Sequence, residues 1–363
     1  MSAAGIEIVD VPVPETWDGD DEGARLLRTL VDVRNAVVVD GWGGDASHAV
    51  TYQEAWAQWR RQEGESQELR TIALLDGEPV GRGYACRGLL EATTLAEVDV
   101  MVVPGARGRG VGAALADDLI ARMRASGATT FQAWADHHPA PGPTIAPPTG
   151  HGAVPADSPQ VRMLQRYGFA LEQVERMSEL RLADVRAGLE AHGAEAEALA
   201  LPRYRAETWT GRTPEHRLAS LAALHSRMSV DAPSAGLEHE AEAWDAERLR
   251  RYEASQVDGG RTLLRAIAVD AATDEVVAYT TLTGSGGGAP WYQHDTLVHG
   301  DHRGHRLGML VKVANLLALD AHEPAAIVRT WNAEENRPML AVNEALGFVA
   351  ICGEGAWQRK DAA

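Results

Sequence analysis

One glycine-rich stretch occurs in two versions, the first of which reads Val102-Val103-Pro104-Gly105-Ala106-Arg107-Gly108-Arg109-Gly110-Val111-Gly112. The second version reads Val298-His299-Gly300-Asp301-His302-Arg303-Gly304-His305-Arg306-Leu307-Gly308. Each version follows an apolar run typical of a strand and leads into an apolar run typical of a helix. Free N–H groups at a helix N-terminus bind anions, and arginines flank both loops. The two stretches therefore predict sites for a phosphate-bearing ligand.

The sequence around the two loops repeats as well. Arg107 and Arg303 lie 196 positions apart, and a strand–turn–strand pattern precedes each loop, with Asp76-Gly77 as the first turn. Downstream, each half has one more strand and a short helix that ends in Gly-Phe, at Gly168-Phe169 and Gly347-Phe348. Each half is therefore predicted to contain the element order β–α–α–β–β–β–α–β–α–β.

Helices are predicted early in each half. Apolar spacing favours helices around residues 24–35 and 52–62 in the first half. The second half starts a helix with Thr213 as the N-cap and Pro214 at the first helical position. Its apolar face is formed by Leu218, Leu221, Ala222 and Leu224.

Two segments interrupt the repeat. The Pro-, Gly- and His-rich residues 137–158 exclude regular structure, and they are either a substrate lid or a disordered surface insert. The Ala- and Glu-rich residues 189–199 are typical of a helical linker. The sequence therefore divides into an N-terminal domain at 1–184, a linker at 185–201 and a C-terminal domain at 202–363.

Composition narrows the class of protein. The 363 residues suffice for two cores, and no apolar run is long enough to span a bilayer. The N-terminus lacks the features of a signal peptide, and the two cysteines lie in separate halves, so a cytoplasmic location is expected. A formal net charge of −18 disfavours nucleic acid as a partner and suits a cationic substrate, although solubility alone also explains it.

These features together resemble the GNAT superfamily of acyl-CoA N-acyltransferases, in a tandem two-domain form. The family signature, Arg/Gln-x-x-Gly-x-Gly/Ala between a strand and a helix, is matched fully from Arg107 to Gly112. The second copy departs from it, because Arg306 replaces the middle glycine. The family's Asn before the last helix is matched by Asn336, whereas the first half has Asp157 or Ser158 there. The resemblance implies an α/β (α+β) fold of two GNAT-like domains, each with a mixed, mostly antiparallel twisted sheet flanked by helices.

The resemblance also implies acetyl-CoA, or another short acyl-CoA, as the cofactor. The backbone of the strand before each loop would pair with the pantetheine, and the loop and helix start would hold the diphosphate. In the first half these residues are Met101, Val102, Val103, Arg107, Gly108, Arg109, Gly110, Val111, Gly112 and Ala113. In the second half they are Leu297, Val298, His299, Arg303, Gly304, His305, Arg306, Leu307, Gly308 and Asn336. The intact glycines favour the first loop slightly.

Acyl transfer to an amine needs a neutral nucleophile and a proton for the leaving thiolate. Asp99 and Asp295 occupy matching strand positions, so either could position or deprotonate an ammonium, or be a solvated strand-end acid. Many family members place a tyrosine four residues before the Gly of Gly-Phe, where this chain has Leu164 and Asn343. Leucine cannot donate a proton, whereas the amide of Asn343 could hydrogen-bond the thiolate. The proton donor is therefore unassigned, since Tyr167 is expected on another face of the helix.

The expected function is N-acyl transfer from acyl-CoA to an amine by direct attack in a ternary complex. The alternative is an acyl-CoA-binding sensor or scaffold without turnover. The loop spacing fits neither a dinucleotide fingerprint nor a P-loop, and the histidines lack metal-ligand spacing, so no metal is expected. The expected acceptor is a small-molecule amine, with cationic amines favoured; neither a membrane nor nucleic acid is expected as a partner, and the protein is a monomer or a homodimer.

Overall fold

A computed structural model of the chain describes residues 5–61, 64–231 and 233–361. The strands are β1 (Ile6–Asp10), β2 (Ser66–Leu75), β3 (Glu78–Gly88), β4 (Leu95–Val102), β5 (Thr130–His137), β6 (Thr144–Ile145), β7 (Val154–Pro155), β8 (Ala170–Arg181), β9 (Tyr204–Thr210), β10 (Thr262–Asp270), β11 (Val276–Gly284), β12 (Trp291–Val298), β13 (Ile327–Ala333) and β14 (Val349–Lys360). The helices are α1 (Glu22–Gly41), α2 (Tyr52–Arg61), α3 (Val111–Ala125), α4 (Pro159–Arg166), α5 (Leu182–Ala200), α6 (Glu215–His225), α7 (Met228–Asp231), α8 (Ala246–Asp258), α9 (Leu307–His322) and α10 (Arg337–Leu346).

Both halves contribute to one twelve-stranded sheet, in the order β1-β2-β3-β4-β5-β14-β8-β13-β12-β11-β10-β9. The two halves exchange their last strands: β14 from the second half pairs with β5, and β8 from the first half pairs with β13. The exchanged strands also pair with each other. The centre of the sheet is therefore built from both halves, and most of its strand pairs are antiparallel.

The hydrophobic cores follow this exchange. Trp357 on β14 is 1% exposed and packs with Phe131 and Phe169, so a residue of the second half completes the first half's core. In the other direction, Leu180 on β8 belongs to the core of the second half. Neither half therefore buries its own apolar residues with its own sequence alone.

Helix α3 packs closely against the sheet because β3 carries glycines where it passes beneath. A Cβ on Gly81 would lie 2.9 Å from Val111, and one on Gly83 would lie 2.9 Å from Leu119. Such distances are shorter than van der Waals contact, so only glycine allows this approach. The close packing fixes the N-terminus of α3 beside the end of β4.

The predicted elements occur in the predicted order in both halves, with β6 and β7 added in the first half and α7 in the second, and the fold class is confirmed. The helices predicted at residues 24–35 and 52–62 are observed as α1 and α2, with residue 62 outside the described residues. The predicted linker is part of α5, and its Leu189 and Ala196 are buried in the second half's core. The domain boundaries themselves stay a prediction.

Two predictions about local structure are wrong. The N-cap of α6 is Pro214 rather than Thr213, because the hydroxyl and N–H of Thr213 both donate to buried Glu253 instead. The insert at residues 137–158 contains regular structure, since β6 and β7 form an antiparallel pair and Val154 is fully buried. The four apolar residues predicted for the face of α6 are buried.

The described residues include no helix with the length and apolarity needed to cross a bilayer.

Candidate functional site

The first glycine loop meets α3 at its N-terminus. Gly108 and Gly110 have positive φ angles of +75° and +88°, which place both in the left-handed region. No side chain among the described residues caps α3, so the N–H groups of its first turn face the loop without a side-chain acceptor. This geometry is that of an anion site at a helix N-terminus.

Two arginines of the first glycine loop contact residues around it. The Nε of Arg107 donates to the carbonyl of Val102 at 3.1 Å, and its guanidinium forms an exposed ion pair with Asp40 at 3.2 Å. Arg109 lies 3.5 Å from Asp76, and both side chains are more than half exposed. Both arginines lie beside the helix N-terminus, where their charge adds to the field of the helix.

The second glycine loop repeats this geometry at greater conformational cost. Arg306 takes the place of Gly110 and has a φ of +53°, a strained value for a residue with a side chain. Its guanidinium forms an exposed ion pair with Glu195 on α5 at 3.0 Å. The Nε of Arg303 donates to the carbonyl of Val298 at 3.5 Å, as Arg107 does in the first half.

Histidines of the second glycine loop contact other residues of the protein. His299 accepts the N–H of Asp301 at 3.3 Å, and the ring of His305 lies 5.3 Å from the ring of Tyr204. Among the described residues, no group of three or more His, Cys, Asp or Glu side chains is arranged to hold a metal ion.

A cleft opens where β4 and β5 separate. These parallel strands pair only at Leu95, Ala96 and Glu97, and beyond that point the edge of β4 leading to the glycine loop is unpaired with β5. The resulting pocket, here called the first cleft, has a volume of about 110 Å³. Its walls include Asp99, Ala116, Trp134, Leu164 and Tyr167, and most of its surface is apolar.

The second half has a matching pocket, here called the second cleft, of about 240 Å³ between β12 and β13. These strands pair only at Trp291 and Tyr292, and a bulge in β12 sets both His294 and Asp295 opposite one residue of β11. The second cleft is more polar than the first, and its walls include Asp295, Lys312, Trp331 and Asn336. Both halves therefore contain the splayed strand pair implied by the resemblance.

The structure separates the predicted catalytic residues. Asp99 lines the first cleft and pairs with Arg82, whereas Asp295 lines the second. Burial raises the pKa of Asp295, and the nearby carboxylate of Glu242 adds to this. Asn343 is 1% exposed and donates to Asn332 at 2.6 Å, with its Oδ1 unpartnered among the described residues.

Tyr167 lies in the wall of the first cleft, so the expectation that it faces elsewhere is wrong. It is the C-cap residue of α4, and Gly168 follows it in a left-handed conformation. Its single hydroxyl proton has two acceptors within reach, the Asp117 carboxylate at 2.9 Å and the carbonyl of Ala113 at 3.1 Å. Burial and the bond to Asp117 raise the pKa of Tyr167 to about 12, which weakens it as an acid.

Asn336 and Ser158 have the same structural role. The side chain of Ser158 accepts the N–H of Val161 at 3.1 Å, and that of Asn336 accepts the N–H of Met339 at 3.4 Å. Each is therefore the N-cap of the last helix of its half. Ser158, rather than Asp157, is the counterpart of Asn336.

An acidic row crosses the centre of the sheet. Asp136 on β5 lies opposite Glu354 on β14, which lies opposite Glu175 on β8, so the three carboxyl groups share one face. Burial and the charges of Asp136, Glu175 and Asp99 raise the pKa of Glu354 to about 8. The row begins next to the first cleft and favours a positive charge there.

Replacing Glu354 with glutamine is expected to raise the melting temperature at pH 9 and change it little at pH 5. Between about pH 4.5 and 8, the Glu354 carboxyl keeps its proton in the folded state but has lost it in the unfolded state. Stability therefore falls as the pH rises through that range, and glutamine removes the cost. Thermal melts at both pH values measure the effect, and an equal shift at both would contradict it.

Sequence reasoning missed the acidic row and Lys312. The row joins β5, β8 and β14, which are remote in sequence, so only the strand exchange brings them together. Lys312 had a usable signal, because it is the one charged residue in the apolar run from Leu307 to Leu319. A charge inside such a run is either buried or directed into a cavity.

Comparisons with known proteins agree with this architecture. Residues 39–141 match the acetyltransferase (GNAT) family. The chain is similar to a tandem GNAT protein from the clavulanic acid biosynthesis pathway, solved without AcCoA, with a TM-score of 0.73, 23% identity and 99% of each chain covered. It is also similar to a GCN5-related N-acetyltransferase from Sphaerobacter thermophilus, with a TM-score of 0.59, 13% identity, and 98% and 96% of the two chains covered. Among curated proteins, none matches the chain in sequence.

The chain therefore has the tandem two-domain architecture of the GNAT superfamily, whose family model its first half matches.

Proposed function

We propose that the protein transfers an acetyl or other short acyl group from acyl-CoA to a small cationic amine, and that the first half binds the acyl-CoA. The observation that carries this proposal is the uncapped N-terminus of α3 at Gly110, beside the splayed strands β4 and β5. The N–H groups would hold the diphosphate, and the unpaired edge of β4 would hold the pantetheine. The thioester would then lie in the first cleft.

The acceptor class follows from the charges beside this cleft. Asp99 lines it, and the acidic row of Asp136, Glu354 and Glu175 continues from it along the same sheet. An ammonium bound there would relieve the repulsion among these carboxyl groups, since opposite charges attract most strongly where water is scarce. We expect calorimetry in buffers of different ionisation enthalpy to detect protons released when the amine binds.

The reaction is a direct displacement in a ternary complex. The neutral amine nitrogen forms a bond to the thioester carbonyl carbon, the tetrahedral intermediate collapses, and the C–S bond breaks to release the CoA thiolate. The amine proton passes to Asp99, directly or through water, and a solvent proton reaches the thiolate. Water is proposed here because Leu164 cannot donate and the Tyr167 hydroxyl is bonded to α3.

Replacing Asp99 with asparagine is expected to lower kcat about 100-fold, the loss typical of a missing general base. The KM for acyl-CoA should change less than threefold, because the diphosphate site is separate. Thiol release with a panel of amines measures both constants. The matched control is Glu7→Gln, which neutralises an exposed carboxylate of the same half.

The same assay separates this function from its alternative, an acyl-CoA-binding sensor. If Asp295→Asn abolished turnover and Asp99→Asn did not, catalysis would belong to the second half. If acetyl-CoA bound and no amine caused thiol release, the sensor would be supported. We also propose that the protein acts in the cytoplasm, as a monomer or a homodimer.

A further inference from the structure

Lys312 is a buried amino group without an anionic partner, and burial lowers its pKa to about 7. An anion bound beside it would favour the protonated form. The Lys312 side chain lies on α9 and is 1% exposed. Among the described residues, its ammonium has no hydrogen-bond acceptor and no carboxylate within ion-pair distance. Its Nζ lies 5.6 Å from the centre of the Phe348 ring. An isolated buried charge is costly, so such a group is normally paired.

The ammonium belongs to the wall of the second cleft. The cleft is also lined by neutral amides and hydroxyls from β12, β13 and the N-cap of α10, namely Gln293, Thr296, Thr330, Asn332 and Asn336, together with His294, Asp295 and Trp331. Burial lowers the pKa of His294 to about 4, so its ring is neutral at pH 7. Asp295 is held by the Tyr279 hydroxyl at 3.5 Å rather than by Lys312. Among the described residues that line the second cleft, Lys312 is therefore the one basic side chain that a bound anion would hold in its charged form.

The first cleft has no such charge. Ala116 lies 196 positions before Lys312, lines the first cleft in the matching helix, and leaves that cavity mostly apolar. The two clefts thus share a backbone frame and differ in the charge at one position. A neutral pantetheine suits the alanine, whereas a buried ammonium favours an anionic group.

From this difference we propose that the second cleft is a binding site for a carboxylate, which the Lys312 ammonium pairs with and the amide and hydroxyl groups orient. A single cation matches the single charge of a carboxylate, and Asp295 in the same wall disfavours a multiply charged phosphate. Two sources carry this chemistry, a free carboxylic acid and an acyl-CoA whose acyl chain ends in a carboxylate. This site is independent of acyl-CoA binding in the first half.

The test is calorimetric titration of the full-length protein with two pairs of probes. Succinate is compared with inorganic phosphate, and succinyl-CoA is compared with butyryl-CoA, which has a neutral chain of the same length. We expect succinate or succinyl-CoA to bind the wild type at least tenfold more tightly than its paired probe. We expect Lys312→Met to abolish that preference and Lys312→Arg to retain most of it.

The outcomes separate the sources and decide the proposal. Preference for succinate supports a free acid, and preference for succinyl-CoA alone supports a carboxylated acyl chain. Equal binding within both pairs, or an unchanged preference in Lys312→Met, would overturn the site. Methionine fills the volume of the lysine without its charge, so thermal melting should show a variant at least as stable as the wild type. Failure here leaves acetyl-CoA binding at Gly110 untouched.

Discussion

Replacing Gly110 with aspartate is expected to weaken acetyl-CoA binding about 100-fold or more. The added carboxylate would stand at the uncapped start of α3, where the diphosphate is proposed to bind, and like charges would repel each other. Aspartate tolerates the left-handed conformation better than most residues do, so the φ of +88° costs only about 1 kcal/mol in stability. Titration calorimetry of the folded variant with acetyl-CoA measures the effect.

The control for this variant lies in the same loop. Gly105 has an ordinary backbone conformation, and a Cβ there would meet no atom within 4 Å, so Gly105→Ala should bind acetyl-CoA like the wild type. A variant in the second glycine loop tests the opposite assignment. If Arg306→Asp lost binding while Gly110→Asp kept it, the diphosphate would belong to the second half.

Replacing Trp357 with alanine is expected to destabilise the protein by about 3–5 kcal/mol, the usual cost of emptying a buried aromatic site. Its ring is 1% exposed on β14 and packs into the core of the first half. The loss should therefore appear in the first half, although the residue is six positions from the end of the chain. Urea unfolding, with hydrogen exchange at α3 and β5, measures the total cost and its location.

A matched position on the same strand provides the control. Val349 is 66% exposed, so Val349→Ala should change the free energy of unfolding by less than about 0.5 kcal/mol. If hydrogen exchange in Trp357→Ala increased only in α9 and β13, Trp357 would not stabilise the core of the first half.

The element order of both halves could be predicted because local signals repeat. The glycine loops, the Gly-Phe helix ends and the Asp76-Gly77 turn each depend on a few adjacent residues, and each specifies a backbone conformation that glycine permits. Gly108, Gly110, Gly168 and Gly347 all have the positive φ that these motifs require. The first cleft could be anticipated for the same reason, since the loop at Gly110 fixes where α3 begins.

The strand exchange could not be predicted, because β8 and β14 have the same pattern whichever half they complete. Pairing with either β5 or β13 buries the same alternating residues, so local sequence does not choose between them. The acidic row depends on that choice, and so it was missed. Val154 was missed because one buried residue within a Pro- and Gly-rich insert gives no periodic signal.

The exchanged strand also sets an order of events during synthesis. When the ribosome has made β1 to β8, the place between β5 and β8 is still empty, because the strand that fills it is residues 349–360. One edge of β5 and both edges of β8 therefore stay unpaired until residues 327–333 and 349–360 have been made, a state that favours pairing with other chains. Nascent protein stalled near the linker should accordingly depend on chaperones, and synthesis and pairing of residues 349–360 should end that dependence.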